Sequence, residues 1–388
     1  MRMSDRRRFV LAGGSDAFEL LGGWESLRSK MIREQPDEFS RPEWAYLISF
    51  MARNRLEQAI LDGFGPLVGP ADVDGPFCLL RPRGEVALWL PNNVSLLGPL
   101  TLILVSLTGN RVTAKGGSRG EDLTKPFLDF ALANLEDGTL KKYLASQVRY
   151  GVFDHTSPEV AAMAERAAVR IFFGSDEAAA EIERLPHPTA SSGLYFTDRT
   201  SEVWIDADLV DDEVITTLIK VFAIYGQAGC TSPHRVILLD GDVVRAQELA
   251  DRVCALFPSV ITEPPHSHSA SQCFLGSQLA KATGFACSVA PNHAAVLAVG
   301  PPHLEAPGAS DLLPITWSSL EDRVQSLPAN IQTIGHVLGP LHRRALEEAL
   351  PRTSIKRFVP LARMHDFGPI WDGRAFFEEL FERVEVDR

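Results

Sequence analysis

The chain has 388 residues, 45% of them hydrophobic and 23% charged, with a formal net charge of −12. That length suggests two domains or one large one, with apolar material for more than one core. The acidic balance argues against nucleic-acid binding and against a basic membrane-binding face, although a local basic pocket can coexist with it. The cysteines Cys78, Cys230, Cys254, Cys273 and Cys287 include no C-x-x-C spacing. Zinc and thioredoxin-like chemistry are therefore not expected, and a reducing, cytoplasmic compartment is. Arg6-Arg-Arg8 hints at a twin-arginine signal, but Asp16, Glu19 and two Gly-Gly pairs behind it break any export core. The longest apolar run, residues 94–107, is interrupted by Ser95, Pro99, Thr101 and Ser106, so no membrane span is expected.

The first seventy residues read as helical and polar, with one amphipathic helix over residues 43–63. A strand at 86–90, a buried helix at 96–108 and a strand at 111–115 follow, leading into a Gly-rich turn at 116–120. Helices at 123–135 and 159–168, a strand at 169–173 and a helix at 176–185 complete this alternation. Such an order implies a parallel sheet covered on both faces, with ligands at the carboxyl ends of the strands. Three turns lie at such ends: Pro91-Asn-Asn93, the turn opening at Lys115, and Gly174-Ser175. The Pro/Ser/Gly-rich stretch at 185–193 reads as a boundary.

A second alternation follows it. Strands are expected at 203–205, 235–239 and 294–299, and helices at 212–225, 243–256 and 271–282. The tail reads as a strand at 331–338, a helix at 342–350, a strand at 355–363 and a helical end at 371–386. Two α/β domains result: residues 1–187 with 350–388, and residues 188–349.

Cys230 lies where the helix at 212–225 gives way to the strand at 235–239, in Gly226-Gln-Ala-Gly-Cys230. A thiol at a Gly-bordered junction can meet a substrate, and a thiolate is a strong nucleophile. Cys254, within a helix, and Cys78, between Phe77 and Leu79, read instead as packing residues. His234 reads as a structural or solvated strand-entry residue. His266 and His268 sit in a loop after Pro264-Pro265 without further ligands at metal-site spacing, so no metal is expected. No Gly-x-Ser-x-Gly elbow surrounds Ser191-Ser192, so a serine hydrolase is not supported.

Five segments, in this order, resemble motifs of the aldehyde dehydrogenase superfamily. They are Leu90-Pro-Asn-Asn-Val94, Thr108-Gly-Asn-Arg-Val-Thr-Ala-Lys115, Phe173-Gly-Ser175, Gly226-Gln-Ala-Gly-Cys230 and Asp366-Phe-Gly-Pro-Ile-Trp-Asp-Gly373. The last is similar to the tail of the bacterial fatty-acyl thioester reductases that supply aldehyde for bioluminescence. The resemblance implies an aldehyde-dehydrogenase-like fold of two parallel-sheet domains with the active site in the cleft between them. It implies Cys230 as nucleophile and Asn93 as an oxyanion donor; the plain reading of Asn93 is an Asx-turn residue. It places Lys115 at the adenosine ribose, and Gly174 and Ser175 under the pyrophosphate and nicotinamide. Members of that superfamily commonly assemble through sheet-edge arms, so a homo-oligomer is one possibility and the oligomeric state stays open.

There are departures from the family pattern. The Glu-Leu-Gly-Gly segment, whose Glu activates hydrolytic water, is absent near residues 193–203, where Glu202 stands in a different context. The Glu-x-Phe-Gly-Pro segment is absent near 311–317. The Gly-Gln-Ala-Gly-Cys spacing is one residue longer than usual. These losses fit a thioester reductase, in which water attack is unwanted. Three residues after Lys115, where relatives that prefer NAD carry Glu, stand Ser118 and Arg119. A hydroxyl and a guanidinium suit a 2′-phosphate, so NADPH is the expected cofactor. The expected activity is reduction of an acyl-CoA or acyl carrier protein thioester to an aldehyde. The alternatives are an aldehyde dehydrogenase working oxidatively and a non-catalytic, ligand-binding relative within a biosynthetic assembly.

Overall fold

The structure is a computed structural model that describes residues 17–68, 77–117, 122–197, 199–227, 229–262, 267–308 and 311–386. The chain forms two compact units, Met1–Thr197 with Phe367–Arg388, and Asp198–Asp366. Both are α/β units, each built on a largely parallel sheet.

The first unit opens with three helices, α1 (Ala17–Met31), α2 (Arg41–Phe50) and α3 (Arg53–Val68). They are less polar than expected. Helix α1 buries Phe18, Leu20, Leu21, Trp24, Leu27 and Met31. The single helix expected over 43–63 is two: Met51, fully buried, caps α2 with ψ of 6°, and α3 starts at Arg53. Helix α2 starts with a capping box: Ser40 Oγ accepts from the Glu43 amide, and Glu43 accepts from the Ser40 amide.

Strands β1 (Phe77–Pro82) and β2 (Glu85–Trp89) come next, then α4 (Leu97–Ser106) and β3 (Arg111–Lys115). Every residue of α4 is buried, which explains a helix that is apolar on all sides. Trp24 donates to Ser106 Oγ at 2.8 Å, fastening α1 to α4. Helices α5 (Thr124–Asn134) and α6 (Thr139–Gln147) lead to β4 (Val148–Gly151), and α7 (Pro158–Arg166) to β5 (Val169–Phe173). Then come α8 (Asp176–Glu183) and β6 (Ser192–Phe196). The sheet has the order β4-β3-β2-β5-β6, and every neighbouring pair is parallel. The stretch at 185–193 does not divide the units. Its polar composition marks a loop, and the next strand, β6, still adds to this sheet.

The second unit runs β7 (Thr200–Asp206), α9 (Asp212–Ala223), β8 (Pro233–Leu239), α10 (Val243–Val260) and α11 (Ser267–Ala282). It continues through β9 (Ala286–Val289), β10 (Val296–Val299), β11 (Leu312–Ser318), α12 (Leu320–Gln325), β12 (Ile331–Val337), α13 (Pro340–Ala349) and β13 (Arg357–Pro360). The sheet order is β13-β12-β7-β8-β11-β10-β9, parallel except for β9 against β10. Alternation along β8 sends Val236 and Leu238 to the face packed with Leu218, Phe222 and Leu249. Ile237 and Leu239 go to the other face, with Trp204, Ile334 and Leu346.

The tail returns to the first unit and is not the helix expected at 371–386. Strands β14 (Ile370–Trp371) and β15 (Arg374–Ala375) form a hairpin around Asp372 and Gly373, with φ of 47° and 72°. Positive φ at both central residues is what a type I′ turn demands, and Asp-Gly supplies it. Phe376 and Phe377 are fully buried. Strand β16 (Phe381–Val386) then pairs antiparallel with β1. Its apolar spacing is compatible with a helix, but pairing with β1 decides the outcome.

Candidate active site

In the second unit, Asp211 caps α9 by accepting from the Val214 amide at 2.8 Å. The helix gives way to a 3-10 turn at Ile224–Gln227. The chain then bends through Cys230 and enters β8 at Pro233. Gln227 has φ of 62°, a left-handed conformation that bulky side chains rarely adopt outside turns and functional sites. Its buried side-chain Nε2 donates to Pro233 O at 3.1 Å and Leu312 O at 2.9 Å. That amide joins the start of the turn to its end and to β11. Ser232 N–H donates to Gly229 O at 2.8 Å, closing the bend on Cys230. Ser201 Oγ donates to Cys230 O at 2.7 Å. Cys230 itself is half-buried, whereas Cys254 and Cys273 are buried. Burial pushes both of those thiols up to about 12, so neither is a nucleophile at neutral pH.

Thr231 and Ser232 are buried. Thr231 Oγ1 lies 2.9 Å from His365 Nδ1, and His365 Nε2 lies 2.8 Å from Val221 O. His234 is exposed on β8. Glu202, on β7, is buried and ion-paired with Arg323 of α12, also buried. Arg323 Nε donates to Glu202 Oε2 at 3.0 Å, and Trp204 Nε1 donates to the same oxygen at 2.9 Å.

In the first unit, the three expected turns lie at the carboxyl ends of adjacent strands. Asn93 follows β2, Lys115 ends β3, and Gly174-Ser175 follows β5. The strand order reverses about β2, with β3 and β4 on one side and β5 and β6 on the other. The switch point therefore lies at the carboxyl ends of β2 and β5, where open α/β sheets bind their ligands. Asn93 is exposed. Two residues on, Ser95 Oγ donates to Glu43 Oε1 at 2.5 Å, which ties this loop to the capping box of α2.

A Cβ on Gly117 would stand 2.3 Å from Asn92 Oδ1 and 2.9 Å from Pro91 O, so only glycine lets the loops after β2 and β3 touch. Lys115 is held below its usual range by burial, with Asp154 partly opposing. Its Nζ lies 5.7 Å from the Phe153 ring centroid. Asp122 Oδ1 accepts from the Thr124 amide at 2.9 Å, and its Oδ2 accepts from Tyr150 OH at 2.8 Å. Ser175 caps α8 by accepting from the Ala178 amide at 3.2 Å. A side chain on Gly174 would meet the Phe172 ring at 2.6 Å.

The structure thus gathers Asn93, Lys115, Gly174 and Ser175 along one edge of the first sheet, and sets Cys230 in a braced turn of the second unit. Ser118, Arg119 and His266 lie outside the described residues, as does the side chain of His268. Among the described residues, no group of three or more His, Cys, Asp or Glu side chains is arranged to hold a metal. No described helix is long and apolar enough to cross a membrane. Ser201, Gln227, Thr231, His365 and Glu43 were not visible as site residues in the sequence. Only Gln227 carried a signal, as a member of the Gly-Gln segment.

Solved structures with the aldehyde dehydrogenase fold share this fold. Aldehyde dehydrogenase 21 of Physcomitrella patens, in complex with the reaction product succinate, superposes with a TM-score of 0.69 at 12% identity, covering 98% of this chain and 87% of that one. An oxidoreductase from Marinobacter aquaeolei gives 0.70 at 13%, covering 100% and 86%. An NAD-dependent benzaldehyde dehydrogenase from Corynebacterium glutamicum gives 0.63 at 13%, covering 99% and 86%. The class of protein is thus that of the aldehyde dehydrogenases in fold. The family model described as acyl-CoA reductase (LuxC) matches residues 44–272. The chain belongs to this family of acyl-CoA reductases and is an oxidoreductase acting on an acyl substrate. None of the curated proteins compared with the chain matches it.

Proposed function

We propose that this protein reduces an acyl thioester, carried by coenzyme A or by an acyl carrier protein, to an aldehyde with NADPH, through an acyl group held on Cys230. The observation that carries this reading is the pairing of a braced, half-buried Cys230 turn with a Glu202 that is locked by Arg323 and Trp204. A carboxylate so committed does not serve as a base for water.

The Cys230 thiolate attacks the acyl carbonyl carbon. A carbon–sulfur bond forms to Sγ, the bond to the donor sulfur breaks, and the donor leaves as a thiolate. Negative charge gathers on the carbonyl oxygen during this attack, and again when the bound acyl group is reduced. The Asn93 amide is the side-chain donor for that charge, and one such donor typically lowers a barrier by about 3 kcal/mol. Two electrons and one proton later, the hemithioacetal on Cys230 collapses. It releases the aldehyde and regenerates the thiolate.

The first unit fits a dinucleotide. The strand order reverses at β2 and β5, and the Gly174-Ser175 turn opens α8 there, at a helix N-terminus that favours a pyrophosphate. Lys115, Gly174 and Ser175 hold the cofactor, with Ser118 and Arg119 at the 2′-phosphate. The nicotinamide supplies hydride when bound. Asp122 is committed to Thr124 and Tyr150 and so does not serve a ribose 2′-hydroxyl, while the guanidinium of Arg119 favours NADPH over NADH.

The test is intact mass after incubation with a fatty acyl-CoA and no nicotinamide. One acyl adduct that maps to Cys230, is absent from Cys230→Ala and is discharged as aldehyde on adding NADPH is the expected result. No adduct with any chain length, together with full activity of Cys230→Ala on another substrate, would refute the reading.

A further inference from the structure

We propose that His365 is a positioning residue for the acyl-transfer step: acting through the Thr231 hydroxyl, it fixes the turn from which Cys230 presents its sulfur. This rests on the reading of Cys230 as the nucleophile and adds to it a residue from the far end of the second unit.

The hydrogen-bond roles follow from chemistry. Val221 O is a carbonyl of the last turn of α9, beyond the final helical bond from the Ile224 amide to Lys220 O, and such carbonyls need an outside donor. A carbonyl only accepts, so His365 Nε2 carries the proton across the 2.8 Å contact. A neutral ring then has a lone pair on Nδ1, and Thr231 must donate its hydroxyl proton over the 2.9 Å contact. One imidazole therefore satisfies a helix-end acceptor and a buried hydroxyl donor together. Neither lysine nor arginine does this, because neither has an acceptor. Burial holds the imidazole down to about 4, so the ring stays neutral at physiological pH. It is a weak base there, which suits a strut better than a proton carrier.

His365 is itself fixed. Arg357 donates to Met364 O and to Asp366 O, each at 2.9 Å, gripping the backbone on both sides of it. Met364 is fully buried and rests on Gly335, where a Cβ would lie 2.2 Å from its sulfur. The Cys230 turn is thus held on its entry side by Gln227, at its peptide carbonyl by Ser201, and on its exit side by His365. Only the last of these restrains the residue directly after the nucleophile through a side chain.

The test measures the rate of acyl adduct formation on Cys230 and the KM for acyl-CoA in Thr231→Val, Thr231→Ser and His365→Phe. Thr231→Val keeps the shape and removes the donor. Loss of one hydrogen bond of ordinary strength predicts acylation slowed ~10-fold, with KM within about twofold and an unchanged circular dichroism spectrum. Thr231→Ser restores the rate. His365→Phe, which keeps a ring but offers neither donor nor acceptor, falls to the level of Thr231→Val, and the double variant falls no further, as expected of residues acting as one unit. If the wild-type protein acylates Cys230 and Thr231→Val does so equally fast, His365 is not a positioning residue, while Cys230 remains the nucleophile. If Thr231→Ser is as slow as Thr231→Val, the methyl packing rather than the hydroxyl matters and the inference fails. If the wild type forms no adduct on Cys230, the functional reading fails and takes this inference with it.

Discussion

Replacing Glu202 with glutamine removes one charge from an ion pair whose members are only 5% and 6% exposed. The glutamine fills the same space and can still accept from Trp204, but Arg323 is left as a buried cation without its carboxylate. Its remaining neutral contacts, to Ser326 O at 3.5 Å and Ser326 Oγ at 3.3 Å, are long. Breaking one side of a buried pair typically costs about 3–5 kcal/mol, and the retained Trp204 contact places this variant near ~3. For a unit of this size each kcal/mol lowers Tm by roughly 2–4 °C, so a fall of roughly 6–12 °C is expected by calorimetry. Replacing both Glu202 and Arg323 with methionine recovers most of that loss, since no unpaired charge remains. At a temperature where Glu202→Gln is folded, it acylates Cys230 within about twofold of the wild-type rate, as a residue outside the reacting atoms should. A Tm within 1 °C of wild type, combined with loss of turnover, would refute this and return Glu202 to a role as base.

Asn93→Ala should lower kcat ~100-fold with little change in KM, the signature of a donor that matters in the transition state; steady-state kinetics with acyl-CoA decides it. Burial pushes the Asp311 carboxyl up to about 6. The folded state therefore favours its protonated form, and stability falls as pH rises from about 4 to 6. Asp311→Asn, tolerated at a φ of 57°, should raise Tm at pH 7.5 by the equivalent of ~1–2 kcal/mol, after discounting for partial exposure, and should do nothing at pH 4. His336 and His365 are both held down to about 4 by burial. Their contribution is full above about pH 6.5 and is lost as pH falls towards 4, because the unfolded chain takes protons that the fold refuses. His336→Phe, which keeps the stack on Phe358, should shift the acid unfolding midpoint to lower pH.

Much of the architecture was legible because apolar runs ended at glycines. Strands β3 and β5 fall on the expected residues, and α4 reads as a buried helix because no polar face interrupts it. Strand β11 was not read, since Pro314 interrupts its run and it is recognisable only beside β8 and β10. The tail was misread because its aromatic spacing suits a helix in isolation. Buried Phe376 and Phe377 and the partner strand β1 settle it from a distance. For the site, the motif segments pointed to Cys230, Asn93, Lys115, Gly174 and Ser175. The braces did not show, because each links residues far apart in sequence: 134 residues for Thr231 and His365, 85 for Gln227 and Leu312, 29 for Ser201 and Cys230.

The antiparallel ribbon of β1 and β16 joins segments about three hundred positions apart, and the whole second unit is spliced between its two halves. During synthesis β1 emerges early and waits unpaired, while the second unit, continuous from Asp198 to Asp366, can collapse as soon as it clears the ribosome. Gly63 needs the same late arrival. It leaves a slot for the Phe377 ring, where a Cβ would stand only 1.9 Å away, so that slot stays unfilled until residues 367–386 appear. The thiol-bearing unit therefore depends on one continuous segment, whereas the other closes only with residues supplied from both ends of the chain.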